Sequence, residues 1–132
     1  MKKKICIVMS TYNNDITNEL YLSAKMVLKK FNKSIEKINH DLVKIPGAFE
    51  IPVTISRLAK KYDGFIAIGC IIKGETANFD LISNAITNGI MEISISQKKP
   101  IGNAVITSFN REQALKRFNR GKEAAQAILE VL

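Results

Sequence analysis

Four short segments carry side chains whose types and spacing could do chemistry. Lys73-Gly74-Glu75-Thr76 sets a glycine before a helix start. Such a turn offers backbone N–H groups and the positive end of a helix dipole to a phosphate, with Lys73 and the Thr76 hydroxyl as further donors. Read alone, the segment is equally a plain helix N-cap at Thr76. Ala48-Phe49-Glu50, bracketed by Pro46-Gly47 and Pro52, is a rigid turn that brings an aromatic and a carboxylate to one edge. By itself it is more simply a core aromatic followed by a first-turn acid that suits the helix dipole. Tyr12 offers a π face to a planar ring, and Arg117 a planar fork to a phosphate. Out of context, the first is a loop aromatic and the second a solvated helix charge.

These segments need elements to hold them, and the hydrophobic pattern provides alternating strands and helices. Ile5–Met9 is a continuous apolar run, as in a strand covered on both faces. From Asp15 as N-cap, Leu20, Ala24, Val27, Leu28 and Phe31 fall on one helix face. A second strand is expected over Ile38–Lys44, and a helix carrying Ile51, Ile55, Leu58 and Ala59 up to Lys61. Gly64–Gly69 reads as the third strand. The next helix is expected from Thr76 to Ser96, with Ile82, Ala85, Ile86, Gly89 and Ile93 inward. Asn103–Thr107 reads as the fourth strand. Asn110 and Gln113 then form a capping box for a helix bearing Ala114, Leu115 and Phe118. Arg120-Gly121 should break the chain before a last helix with Ala125, Ile128, Leu129 and Leu132 inward.

This order predicts an α/β fold: a single-domain three-layer αβα sandwich over residues 1–132, with a four-stranded parallel sheet of flavodoxin-like type. Ligands of such sheets bind beyond the carboxyl ends of the strands. Ser10–Asn14, Pro46–Pro52, Cys70–Asp80 and Ser108–Asn110 occupy those four exits, and Tyr12, Ala48–Glu50 and Lys73–Thr76 lie in the first three.

Composition narrows the classes. With 46% hydrophobic and 24% charged residues among 132, the chain reads as an ordinary globular protein with no apolar run long enough to span a bilayer. Lys2–Lys4 before Ile5–Met9 resembles the start of a leader, but polar residues follow with no small-residue cleavage site, so a cytoplasmic location is expected. Cys6 and Cys70 have no metal-ligand spacing and lie in strand-like runs, as buried free thiols do. The net charge of +8 is compatible with nucleic acid, a membrane surface or anionic small substrates. The lysines are spread over helices and loops without interleaved aromatics, which favours solvated helix faces over a nucleic-acid or membrane surface.

Taken together, PGAFEIP at Pro46–Pro52, GCIIKGETANFD at Gly69–Asp80, and the run from Thr107 through EQALKR to Arg117 resemble the lumazine synthase family over nearly the whole chain. The resemblance implies an enzyme of riboflavin biosynthesis that makes 6,7-dimethyl-8-ribityllumazine. It condenses 5-amino-6-(D-ribitylamino)uracil with 3,4-dihydroxy-2-butanone 4-phosphate, losing water and phosphate, with no cofactor and no metal. Carried over to this chain, the stacking aromatic falls on Tyr12. The ribityl and uracil contacts fall on Ala48, Phe49, Glu50, Cys70, Ile71 and Ile72. The phosphate contacts fall on Glu75, Thr76 and Arg117.

Two positions depart from the family pattern. Asn78 stands where the family usually has its proton-donor histidine, and the chain's one histidine, His40, lies near the second strand. Asn103 stands where a substrate-contacting phenylalanine is common. Positioning two reactants is worth roughly 7–11 kcal/mol and general acid catalysis roughly 3–6 kcal/mol, so a slower but genuine synthase is expected. The resemblance also implies a homopentamer with sites between neighbouring subunits. The chain opens directly on its first strand, and the Arg117–Gly121 connection is shorter than usual, which points to a bare pentamer over a sixty-subunit shell. Two rival readings stand beside this one. One is a catalytically degenerate homologue kept as a ligand-binding or structural shell protein. The other is a flavodoxin-like signalling domain.

Overall fold

The computed structural model describes residues 3–31, 38–74 and 78–132. Its elements run β1 (Lys3–Ser10), α1 (Asn14–Phe31), β2 (Ile38–Ile45), a 3-10 turn (Ala48–Glu50), α2 (Ile51–Leu58), β3 (Gly64–Ile72), α3 (Phe79–Gln97), β4 (Ile101–Ser108), α4 (Arg111–Leu115) and α5 (Asn119–Val131). All strand pairings are parallel, in the order β2-β1-β3-β4. The sheet order turns back between β1 and β3, which is where such sheets open a crevice for ligands.

Every residue of β3 is buried, as befits a central strand covered on both faces. Alternation across the sheet splits the core in two. Ile5, Ile7 and Met9 of β1 join Ile66 and Ile68 of β3 beneath α1 and α5, packed by Leu20, Ala24, Leu28, Ala125 and Ile128. Cys6 and Val8 join Phe65 and Ala67 on the other face, beneath α2 and α3, packed by Ile51, Ile55, Ile86 and Ile90. Three layers result. Both cysteines are buried thiols outside any disulfide. No helix among the described residues is long and apolar enough to cross a membrane.

Several boundaries differ from those the sequence suggests. Strand β3 runs to Ile72, so Cys70, Ile71 and Ile72 are the buried end of a strand, paired with Ile106, Thr107 and Ser108 of β4. Asn119-Arg120-Gly121 opens α5 and does not break the chain. Gly121 serves a helix crossing: a Cβ there would lie 2.0 Å from the carbonyl oxygen of Leu20 in α1. The Ser23 hydroxyl of α1 donates to the Phe118 carbonyl at 2.6 Å, fastening the same contact. In α4 only Ala114 is buried, with Leu115 and Phe118 facing outward. In α3 the inner face uses Ile90 as well as Ile86, and Ala85 is exposed. His40 lies within edge strand β2, opposite Ile5 and far from the strand exits.

Candidate functional site at the strand exits

The strands do not end level. β1 registers with β3 from Ile5↔Gly64 to Met9↔Ile68, whereas β3 and β4 continue together to Ile72↔Ser108. Beyond the level of Ser10, β3 and β4 therefore overhang by about three residues, roughly 10 Å at the rise of a strand. The overhang makes a step, walled by the segments that leave β1 and β2. Gly69 forms its inner corner. A Cβ there would come within 3.1 Å of the Ala48 Cβ and 3.3 Å of the Ser10 Oγ, so the missing side chain lets the turn after β2 settle against the sheet.

The turn after β1 is fastened to that same segment. Thr11 N–H donates to the Ile45 carbonyl at 2.8 Å, and Tyr12 N–H to the Pro46 carbonyl at 3.0 Å. Tyr12 keeps 59% of its surface exposed and Phe49 keeps 62%, leaving two aromatic rings outward on one edge of the molecule. Phe49 is thus no core residue. Glu50 has two places in the structure. Its Oε1 accepts from Gly47 N–H at 2.9 Å, closing the turn. With Phe49 and Ala85 it also lines a cavity of about 400 Å³ between α2 and α3.

The exit of β4 builds a second concavity, of about 290 Å³, lined by Phe79, Thr107, Ser108, Phe109, Gln113 and Arg117. Arg117 is held there by donation from Nη1 to the Thr107 carbonyl at 2.8 Å, a bond that uses one of the five N–H donors of its fork. The Asn110 cap forms as expected, with Gln113 N–H donating to Asn110 Oδ1 at 2.9 Å, but the return bond differs from that of a capping box: Gln113 Oε1 accepts from Phe109 N–H at 3.0 Å, one residue before the cap. The Lys73 ammonium lies 5.5 Å from the centroid of the Phe109 ring, and Lys73 N–H donates to the Ser108 carbonyl, joining the exits of β3 and β4. This wall combines a cation, a fixed guanidinium and the buried Ser108 hydroxyl, which has no partner among the described residues. It has the chemistry of an anion pocket.

Asn78 is the exposed N-cap residue of α3, beside the Phe79 that lines the Arg117 cavity, and its side chain does not cap its own helix. Glu75 and Thr76 lie outside the described residues. Asn103 stands apart from the exits. It pairs with Ala67 in the middle of β4, and its Oδ1 accepts from Val105 N–H at 2.9 Å. The single chain therefore gathers two groups of predicted residues at the strand exits, Tyr12 with Ala48–Glu50 and Arg117 beside the start of α3, and does not bring Asn103 to either. Arg111 escaped the sequence reading, and Ser108 and Phe109 entered it as part of the Ser108–Asn110 exit without roles of their own. Their only signal was position just past the fourth strand. A larger cavity, of about 550 Å³, lies away from the exits between α1 and α5, with Met26, Val27, Phe31 and Leu129 in its lining.

A family profile described as 6,7-dimethyl-8-ribityllumazine synthase matches residues 2–132. The chain belongs to that family. A 6,7-dimethyl-8-ribityllumazine synthase of Buchnera aphidicola subsp. Baizongia pistaciae is 41% identical over 99% of this chain and 86% of its own length. Those of Kosmotoga olearia and Leuconostoc mesenteroides are 42% and 39% identical, covering 97% and 98% of this chain and 85% and 86% of their own lengths. The resemblance first read from three motifs thus extends over residues 2–132 of this chain.

Proposed function

We propose that this chain is a transferase of riboflavin biosynthesis, forming 6,7-dimethyl-8-ribityllumazine from 5-amino-6-(D-ribitylamino)uracil and 3,4-dihydroxy-2-butanone 4-phosphate. One observation carries the reading: the family match over residues 2–132 coincides with polar and aromatic groups collected at the strand exits. Tyr12 stacks on the pyrimidine, while Ala48, Phe49 and Glu50, with the end of β3 at Cys70, Ile71 and Ile72, hold the ring and ribityl chain. Arg117, with Glu75 and Thr76, takes the phosphate. The amine of the first substrate attacks the carbonyl of the second, and water and phosphate leave. Asn78 can orient a water or the phosphate but has no proton to exchange near neutral pH. Positioning then carries most of the rate.

The working unit we propose is a homopentamer of one-domain subunits in the cytoplasm. Two features support it. The outward side of α3 carries exposed Leu81, Met91 and Ile95, an apolar stripe suited to a second copy. The two groups of residues at the strand exits, and Asn103 on the partly uncovered face of β4, would be joined by apposing neighbours. Mixing purified protein with both substrates and following lumazine absorbance tests the reading. Turnover above the uncatalysed rate is expected. Its absence at saturating substrates, with ribitylaminouracil still bound, would instead assign a catalytically degenerate homologue.

A further inference from the structure

The passage from β1 to α1 takes three residues, and its middle one is Tyr12. On one side the turn is stapled to the segment leaving β2, through Thr11 N–H to Ile45 and Tyr12 N–H to Pro46. Asn13 then adopts a left-handed conformation with φ of 60°, which asparagine tolerates better than most residues, and its carbonyl accepts from Ile16 N–H and Thr17 N–H to open α1. The opposite side of the turn is held from another element. Arg111, the first residue of α4, donates from Nη1 to Asn13 Oδ1 at 3.0 Å and from Nη2 to the Asp15 carboxylate. One rigid fork thus grips the two residues that follow Tyr12 at positions 13 and 15.

We infer that Arg111 is a positioning residue for Tyr12, setting the ring that stacks on the ribitylaminouracil. The inference rests on the reading of Tyr12 given above. Arg111 and Asp15 are each about half exposed, 48% and 53%, so their pairing adds little to folding. Its geometry matters more, because it holds the turn from the side opposite the clamp to β2. Removing it should leave α4 and Arg117 in place. That helix is capped independently by Asn110 and Gln113, anchored by buried Ala114, and Arg117 is tied to Thr107. A lysine would not substitute, since a single ammonium cannot span both partners as a planar fork does.

Steady-state kinetics on Arg111→Ala, Arg111→Lys, Asp15→Asn, Tyr12→Ala and the Arg111→Ala/Tyr12→Ala double variant test this. Arg111→Ala is expected to raise KM for ribitylaminouracil about five-fold, with kcat and KM for the butanone phosphate within about two-fold. Arg111→Lys and Asp15→Asn should show the same signature at smaller size, and the defect should be smaller at 1 M salt, where wild type approaches the variant. Tyr12→Ala should raise the same KM, and the double variant should be no worse than Tyr12→Ala alone, because both act through one ring. If Tyr12→Ala raises KM while Arg111→Ala leaves it unchanged, or if the two effects add, the positioning role is overturned and the Tyr12 reading stands. If Tyr12→Ala moves no KM, the Tyr12 reading itself falls and takes this inference with it.

Discussion

Asn78 sits at the N-cap of α3, next to the cavity that holds Arg117, yet it has no titratable proton. If acid catalysis is what this site lacks, Asn78→His should raise kcat about tenfold or more. The variant should also acquire a pH dependence near 6.5 that the wild type does not show. An unchanged kcat would mean that the proton already moves by another route. His40, half-buried in β2, affects stability and not chemistry. Burial holds its pKa below the ordinary 6.5, the positive charge of Lys25 adds to this, and Asp41 opposes it. Between its folded value and 6.5 the unfolded chain binds more protons, so its contribution is intact above 6.5 and is lost as pH falls. Asp15 and Asp41 have carboxyls held below the usual 3.8, by hydrogen bonds from Arg111 and Tyr62 respectively, and stay ionised across that window. Urea midpoints compared at pH 7.5 and 5.0 should therefore fall less in His40→Gln than in wild type.

At the scale of elements, the contact between α1 and α5 decides more than either helix pattern does. Gly121 lies where a Cβ would meet the Leu20 carbonyl at 2.0 Å and the Ser23 Oγ at 2.5 Å. Backbone cannot yield as a flexible side chain can, so Gly121→Ala must push the helices apart. A loss of about 3 kcal/mol is expected, lowering Tm by about 10 °C, despite alanine's better helix propensity. A rise in Tm would show that the crossing is looser than described. This position also explains one failure of the sequence reading. A glycine after arginine looks like a helix stop, because sequence alone cannot distinguish a need for φ freedom from a need for space. The end of β3 misled in a similar way. GCIIKGET reads as a loop because Gly69 and Gly74 bracket it, but pairing with β4 keeps Cys70–Ile72 in the strand.

At the scale of the molecule, the proposed sharing of sites between neighbours and the outward apolar residues of α3 set the question of assembly. A homopentamer of 14.7 kDa chains should give a scattering or sedimentation mass of about 74 kDa. Ile95→Glu, on the exposed side of α3, should shift the mass toward smaller species. It should also lower activity, because sites shared between neighbours would come apart with the ring. A mass near sixty chains would refute the bare pentamer, and full activity in a monomer would refute shared sites.

Local pattern was enough for much of this protein. Period-2 and period-3.6 burial, with the caps at Asn110 and Gln113, determined the order of strands and helices and hence the parallel sheet. Because a parallel sheet gathers its strand-to-helix turns at one end, the place of the segments around Tyr12 and Phe49 at the strand exits was legible in the sequence. Tertiary structure decided what depends on register and close approach. It put β3 and β4 three residues beyond β1, turned Gly121 into a helix contact, and held Asn103 in mid-strand. It also brought Arg111 across 98 positions of sequence to Asn13. Such contacts leave no periodic trace, since the residues that make them share neither an element nor a spacing. Only folding gives them a common place.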